Sequence, residues 1–317
     1  MKAGTRIFVA GGHGLVGSAV VRKLASEGFY NLLSPNRADL DLTDQSAVNH
    51  FFSTEKPELV FLVAGKVGGI LANSTYPADF IRENLLIQTN VIDAAYRFKA
   101  AKLLDLGSSC IYPKLAPQPM NEDCLLTGPL EPSNEWYAIA KIAGLKMCQA
   151  YRRQYGFNAV CLMPTNLYGP GDNFDLQGSH VLPAMIRKFH EAKVDGRSEV
   201  MLWGTGSPRR EFLHVDDLAD ACLFVMRNYE GEAILNAGVG KDVSIRQLAD
   251  LVKTVVGYEG SVTWDTTKPD GTPQKLLDVS RLLALGWRAR TDLQEGIEST
   301  YQWFCEHGKD VRLSRQS

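Results

Sequence analysis

A glycine turn set between two apolar runs constrains this chain more than any other feature. Arg6-Ile7-Phe8-Val9-Ala10 reads as a buried strand, Gly11-Gly12-His13-Gly14-Leu15-Val16-Gly17 as a turn, and Ser18-Ala19-Val20-Val21 as the start of a helix. Two patterns overlap in the turn: Gly11, Gly14 and Gly17 fit G-x-x-G-x-x-G, and Gly12, Gly14 and Gly17 fit G-x-G-x-x-G. In either register, positions without side chains let backbone N–H groups and a helix N-terminus approach a pyrophosphate. An isolated match would mean little; one placed between a strand and a helix is a dinucleotide-binding signal.

The chain beyond this turn continues to alternate. Strand-like runs at 29–33, 59–64, 103–108 and 159–163 are separated by helical stretches, the clearest at 80–99 and 136–155. This order predicts an α/β fold, a Rossmann-type doubly wound parallel sheet with crossover helices. After 166–171 the character changes to a Gly- and Asp-rich loop, a helix at 180–192 and a short strand at 200–203. We therefore expect a dinucleotide-binding domain of residues 1–171 plus 211–238. Residues 172–210 plus 239–317 would form a smaller C-terminal α/β substrate-binding domain. The segments at 211–226 and 233–238 read as a helix and a strand that return to the sheet.

Composition narrows the class. With 317 residues, 45% hydrophobic, and a net charge of −2, nothing calls for a nucleic-acid polymer or a membrane as partner. The six cysteines, Cys110, Cys124, Cys148, Cys161, Cys222 and Cys305, show no C-x-x-C spacing. The N-terminal apolar run is too short for a secretory signal, so a reduced, cytoplasmic chain is expected. Cys148 and Cys222 read as packing residues. No His, Cys or Asp cluster has metal-ligand spacing, so no catalytic metal is expected. The Gly-x-Ser-x-Gly elbow of many hydrolases is absent.

The chemistry concentrates in two segments. Tyr137 and Lys141 are four apart in a helical run and so share one face. A Lys ammonium beside a phenol favours the phenolate and lowers the Tyr pKa, so that the Tyr can pass a proton to a carbonyl oxygen as hydride reaches the carbon. Ser108, at the end of the 102–107 run, would hold the same oxygen. Cys110 lies two residues further, and an extended backbone would put both side chains on one face. The residue types alone favour packing for Cys110, and a surface or capping role for His180. Cofactor choice is read about 20 residues past the glycine turn. Arg37 stands there, after a strand tip with no acid, which favours NADP(H); Asp39 and Asp41 follow it. Among the other histidines, His214 reads as structural and His13 as close to the pyrophosphate. His50, His190 and His307 read as surface positions.

Taken together, Gly11-x-x-Gly14-x-x-Gly17, Ser108, Tyr137-x-x-x-Lys141, Asn166-Leu167-Tyr168-Gly169-Pro170 and the run from Arg210 to Asp217 form a recognisable set. The chain resembles, almost end to end, the extended short-chain dehydrogenase/reductases that work on nucleotide sugars. The most selective stretches are 64–70, 107–114, 164–170 and 268–273. The resemblance implies an NADP-dependent oxidoreductase and epimerase, with GDP-4-keto-6-deoxy-D-mannose or a similar GDP-sugar as substrate. Carbons 3 and 5 would be inverted before the carbon 4 ketone is reduced. Carried over by matching motif, Ser108, Tyr137 and Lys141 would reduce the carbonyl, and Cys110 and His180 would epimerise. NADP(H) would meet Gly11, Gly12, His13, Gly14, Leu15, Val16 and Gly17. Further along it would meet Arg37, Ala38, Asp39, Leu40, Asp41 and Leu42, then Leu106, Gly107, Ser108 and Ser109. Lys141, Pro164, Thr165, Asn166, Leu167 and His180 complete that set. Substrate would meet Lys188, Trp203, Arg210 and Asp270. The chain departs from some members in Lys188 in place of Arg, which loses the bidentate fork, and in Gly12-His13 in place of His-Arg. Family members that pair helices across subunits imply a homodimer, to which the surplus apolar residues Ile139, Ile142, Ala143, Leu145, Met147 and Ala150 would contribute. Two other readings stand beside this one: a relative acting on another GDP-4-keto sugar, toward GDP-colitose or a GDP-heptose, and a non-catalytic NADP(H)-binding protein.

Overall fold

The first strand stops where the glycines begin, and the close packing of that corner sets the frame for everything after it. In the computed structural model, residues 1–176, 178–268 and 270–311 are described, with backbone alone at 70 and 308–311. Pro269 of the 268–273 motif thus lies outside the described residues. β1 (Ile7–Ala10) is buried throughout and leads through the glycine turn into α1 (Leu15–Ser26). Gly11 has φ +88°, and a Cβ on Gly17 would sit 1.9 Å from the Gly11 carbonyl oxygen. Any side chain at position 17 would push the helix off the strand.

The chain continues through β2 (Leu32–Leu33), α2 (Gln45–Glu55), β3 (Leu59–Leu62), α3 (Ile70–Thr75), α4 (Pro77–Arg97), β4 (Lys102–Leu106), α5 (Glu135–Tyr155) and β5 (Ala159–Pro164). It then forms β6 (Asn166–Tyr168), α6 (Val181–Val194), β7 (Glu199–Trp203), β8 (Arg209–Arg210), β9 (Phe212–His214), α7 (Val215–Asn228) and β10 (Leu235–Ala237). The last elements are β11 (Val243–Ser244), α8 (Ile245–Val256), β12 (Ser261–Asp265), β13 (Gln274–Lys275), α9 (Ser280–Ala284) and α10 (Leu293–Val311). Six strands form a parallel sheet in the order β10-β5-β4-β3-β1-β2. The expected doubly wound α/β fold is therefore present. The chain reverses direction across the sheet at β1 and β3, and ligands of such sheets bind in the crevice beyond the strands' carboxyl ends at that point.

Apolar side chains cover both faces. One cluster packs Phe8, Phe52, Val60, Leu103 and Leu145 between the sheet and helices α2, α4 and α5. The other packs Ile7, Leu24, Phe61, Leu162 and Leu218 against α1 and α7. A third core, around Phe189, Leu202, Leu248 and Ile297, belongs to the smaller lobe of α6, α8 and α10. The sequence placed all of 239–317 in that lobe, but Leu277, Leu282 and Trp287 pack on the large sheet's two faces. Their burial against sheet helices and strands outweighs their position late in the chain. Among the described residues, no helix is long and apolar enough to cross a membrane.

One polar residue in this framework is unusual. Lys102 opens β4 and is 5% exposed, yet its ammonium is satisfied, donating to the carbonyls of Val225 at 3.1 Å, Met226 at 2.8 Å and Tyr229 at 2.5 Å. These carbonyls close the C-terminal end of α7, where the helix dipole favours a cation; the Val225 oxygen also accepts from the Tyr229 N–H at 3.1 Å. Burial pulls the Lys102 pKa down, but the charge is placed against three carbonyls gathered at the helix end. Lys102→Met should lower stability by about 1–3 kcal/mol, because those carbonyls stay buried. Urea unfolding followed by circular dichroism gives the measurement.

Candidate active site

Beyond Leu106 the chain leaves the sheet, and the way it leaves decides what can meet in the crevice. A Cβ at Gly107 would lie 2.2 Å from the Met163 sulfur, so the backbone there runs close against β5. Ser108 is extended, with φ −163° and ψ 151°, but Ser109–Ile111 then form a 3-10 turn. The expectation of a continuing extended segment is therefore corrected. Ser108 Oγ accepts from the Cys110 N–H at 3.3 Å, and this cap bends the chain into the turn. Cys110 reaches the crevice by that turn and not by strand alternation. Its thiol is half-exposed and accepts a hydrogen bond from Asn134 Nδ2 at 3.3 Å.

Asn134 is at the N-cap of α5, but its side chain makes no capping bond. Three residues on, Tyr137 is buried, and the Ser108 side chain is near enough to act on its hydroxyl. One turn further, Lys141 is 4% exposed and donates to the Leu106 carbonyl at 2.8 Å. The four-residue spacing does place Tyr and Lys on one inward helix face. Its electrostatic effect differs from the expectation. Burial raises the Tyr137 pKa well above the phenol's ordinary value, the Cys110 side chain raises it further, and the Ser108 side chain only partly opposes this. Lys141 is not among the groups acting on that phenol, since its ammonium is turned to the Leu106 carbonyl. Burial also lowers the Lys141 pKa, against the opposing pull of Asp105 and then Cys110. Tyr137 is thus a firmly protonated phenol, suited to donating a proton or a hydrogen bond.

His180 stands at the N-cap of α6 without capping it. Burial lowers its pKa although its side chain is open to solvent, which describes a group set in a recess. The 65–69 loop joins it to the triad. A Cβ on Gly65 would lie 3.6 Å from Lys141 Nζ, and one on Gly69 would lie 3.0 Å from the Ser179 carbonyl oxygen. The Gly69 N–H donates to Gly178 O at 3.2 Å. Asn84 pins the loop, accepting from Lys66 N at 3.0 Å and donating to Lys66 O at 3.0 Å. Behind the loop, α3 packs on the 132–134 turn that carries Asn134. Cys110 and His180 therefore border one connected wall.

The glycine corner fits a dinucleotide pyrophosphate. The first N–H groups of α1 have no side-chain cap, and no acid lies in its first turn. A Cβ at Gly12 would collide with Ser34 at 2.6 Å, whereas Gly14 has only one neighbouring atom, at 3.5 Å, and is exposed. His13 Nε2 meets Ser34 O at 2.9 Å, so its ring is held beside the turn. Leu15 and Val16 follow at the helix start. Arg37 is 72% exposed and faces Glu83 at 3.6 Å and Asp41 at 4.0 Å. Glu83 in turn binds Lys66 at 2.6 Å. Ala38 and Asp39 donate their N–H groups to Asn36 Oδ1, which shapes the turn, and the Leu40 N–H donates to Asn36 O. Leu42 O accepts from Asn90. At the end of β5, the Thr165 hydroxyl and Asn166 amide both donate to Glu211 O, beside Pro164 and Leu167.

On the other lobe, Trp203 is 63% exposed between two ammoniums, Lys188 at 5.8 Å and Lys268 at 5.7 Å from its ring centre. Asp270 accepts from the Thr205 N–H at 2.9 Å and hydroxyl at 2.6 Å, and acts electrostatically on half-buried Arg210. Sequence reasoning assigned nothing to Asn134, Lys268 or Thr205. Asn134 carried a signal, an Asn three residues before the tyrosine of a helical Tyr-x-x-x-Lys. His190 is corrected: it is half-buried, bonded to Tyr301 Oη at 3.1 Å and packed on Phe304, because its helix face turns to α10. His214 is buried and caps α7 by accepting from the Asp216 N–H.

This arrangement agrees with what the chain matches: residues 7–238 fit the NAD dependent epimerase/dehydratase family. The chain belongs to that family. Similar members include GDP-L-fucose synthase 1 of Arabidopsis thaliana, 63% identical over 302 residues that cover 95% of this chain and 94% of that protein. GDP-L-fucose synthase of Escherichia coli (strain K12) is 53% identical over 311 residues, covering 95% and 97%. Among solved structures, a GDP-D-glycero-L-gluco-heptose synthase from Campylobacter jejuni, determined in the presence of NADPH, has a TM-score of 0.91. It is 38% identical, with 96% of this chain and 99% of that chain covered.

Proposed function

We propose that this chain converts GDP-4-keto-6-deoxy-D-mannose to GDP-L-fucose in two steps, epimerisation at carbons 3 and 5 followed by reduction of the carbon 4 ketone. The observation that carries the reading is the meeting of Tyr137, Ser108 and Cys110 in one crevice, with the thiol held by Asn134. Identities of 63% and 53% to two GDP-L-fucose synthases support the substrate.

The order of steps follows from the substrate. Hydrogens on carbons 3 and 5 are acidic only while carbon 4 is a ketone, so inversion precedes reduction. Tyr137 and Ser108 hold the carbon 4 oxygen in both steps, since enolate formation and reduction each place negative charge there. Cys110, as thiolate, removes the carbon-bound proton, and His180 delivers a proton to the opposite face. Desolvation makes the His180 imidazolium a stronger acid, and its donor form is lost as pH rises through a value below the ordinary histidine range. NADPH, when bound, supplies the hydride for carbon 4. Tyr137 then gives its proton to the alkoxide, and Lys141, anchored to the Leu106 carbonyl, fixes the helix face that presents the phenol. Lys188, Trp203, Arg210 and Asp270 receive the GDP portion, cations toward the diphosphate and the indole toward the base.

NADP(H) is the cofactor in this reading. Its pyrophosphate would lie on the uncapped start of α1 over Gly11 to Gly17, and Arg37 would pair with the 2′-phosphate. The chain works in the cytoplasm as a homodimer, joined across the outer face of α5, where Trp136, Ile139 and Tyr155 are exposed.

Three measurements test this. Supplied with GDP-4-keto-6-deoxy-D-mannose and NADPH in deuterated water, the enzyme should consume NADPH and label carbons 3 and 5. Cys110→Ala should abolish the label and keep NADPH binding; undiminished exchange would sink the epimerase half, and consumption without any label would leave a plain ketoreductase. Arg37→Ala should raise the NADPH Michaelis constant about tenfold or more, the scale of one lost charge-assisted contact, and an unchanged value refutes the phosphate assignment. Light scattering should give twice the chain mass, falling toward one chain mass in Ile139→Glu.

A further inference from the structure

Behind the catalytic face of α5, three groups far apart in sequence converge. Asp105, Cys148 and Cys161 are buried, and their ligand-type atoms all lie within 4.8 Å of one another. Spacing along the chain gave no sign of this. The pairing of β4 with β5 sets Asp105 opposite Cys161, and Cys148 lies two helical turns beyond Lys141, on the same face of α5. Among the described residues, neither Asp105 carboxylate oxygen has a hydrogen-bond partner, although Asp105 is 0% exposed. A buried carboxyl without partners is costly, so the fold keeps it for some compensating interaction.

Lys141 has the complementary problem. Its ammonium is enclosed, and the Leu106 carbonyl takes one of its three donors. Asp105 immediately precedes Leu106, and its side chain points to the α5 side of the sheet, as its contact with Cys148 shows. We propose that the Asp105 carboxylate is the buried counter-charge that keeps Lys141 an ammonium, which makes Asp105 a positioning residue for the Tyr137 and Lys141 pair. The proposal rests on the reading that these two work together in reduction.

Every titratable group facing the pair bears on it. From α5 these are Tyr137, Lys141 and Cys148; from β4, Asp105; from β5, Cys161; from the 109–111 turn, Cys110. Facing them from α4, Gln88 is neutral and packs on Gly144. Asp105 is the largest of the influences that favour the charged form of Lys141, ahead of Cys110. Burial pushes the Asp105 carboxyl up to about 6, and Lys141 pulls it back, so the carboxylate form prevails above that value. The neighbouring free thiol of Cys161 and burial hold the Cys148 thiol far above its ordinary range, so it stays neutral. A neutral thiol is a poor metal ligand, and the adjoining ammonium opposes a cation. The two groups make no direct hydrogen bond, so the attraction acts across the enclosed interior, where opposite charges interact more strongly than in water.

The test titrates Lys141 directly, using lysine labelled at Cε and the resonance assigned by its loss in Lys141→Arg. Wild type should show an ammonium at pH 7, and a neutral amine there overturns the proposal without any variant. In Asp105→Asn the midpoint should fall by about 1–3 units, the range for loss of a close opposite charge. An unchanged midpoint overturns it. Asp105→Leu carries the same measurement if the amide variant misfolds. The alkaline limb of the pH profile for NADPH consumption should move down with the midpoint, and a merely structural aspartate would not move it. A shifted midpoint with an unmoved limb supports the counter-charge and instead refutes the pairing of Lys141 with Tyr137 in catalysis.

Discussion

The bond from the Lys141 ammonium to the Leu106 carbonyl is the tie on which the catalytic geometry depends. It joins α5 to the last residue of β4 at 2.8 Å, deep enough that water cannot compete. With that point fixed, Tyr137 sits one turn nearer the helix start and meets Ser108, which has just left the strand. The same helix start carries Asn134 to the Cys110 thiol. A helix that slid along the sheet by one turn, about 5.4 Å, would break all three contacts together.

The 3-10 turn at Ser109–Ile111 gives the site its economy of parts. Ser108 has two roles there, a cap for the turn through the Cys110 N–H and a polar neighbour for the Tyr137 hydroxyl. A continuing strand would have carried Cys110 on past the helix start; the turn returns it. In the proposed reaction, reducing and epimerising groups would therefore share one oxygen position, and stabilising charge on that oxygen would serve both steps.

Much of the fold was legible. The strand, glycine turn and helix at the start, the alternation through 163, and the return of α7 and β10 to the sheet follow from apolar periodicity and turn residues, but the expected start of that helix at 211 is instead β9, paired with β6 outside the large sheet. Of the site, Ser108, Tyr137 and Lys141 were visible as residue types at telling positions, whereas Cys110 and His180 stood out only through the family resemblance. What stayed hidden depends on long-range packing. No local pattern shows that Lys102 would cap α7, that Leu277 and Trp287 would return to the large sheet, or that His190 would face α10. The Tyr137 phenol was misjudged because spacing reveals a neighbour and not its burial, and here burial outweighs the neighbour. Asp105 read as one polar interruption in an apolar strand, and only the β4 to β5 register reveals its company.

The carboxylate of Glu83 binds two cations from different parts of the crevice. Arg37 approaches from the segment beyond β2, and Lys66 belongs to the loop that leads from Lys141 to His180. Any anion that takes Arg37 from Glu83 leaves that carboxylate to Lys66 alone. The dinucleotide end and the sugar end of the crevice are thus not electrostatically independent, and a kinetic scheme that treats occupancy of one as silent toward the other omits a charge they hold in common.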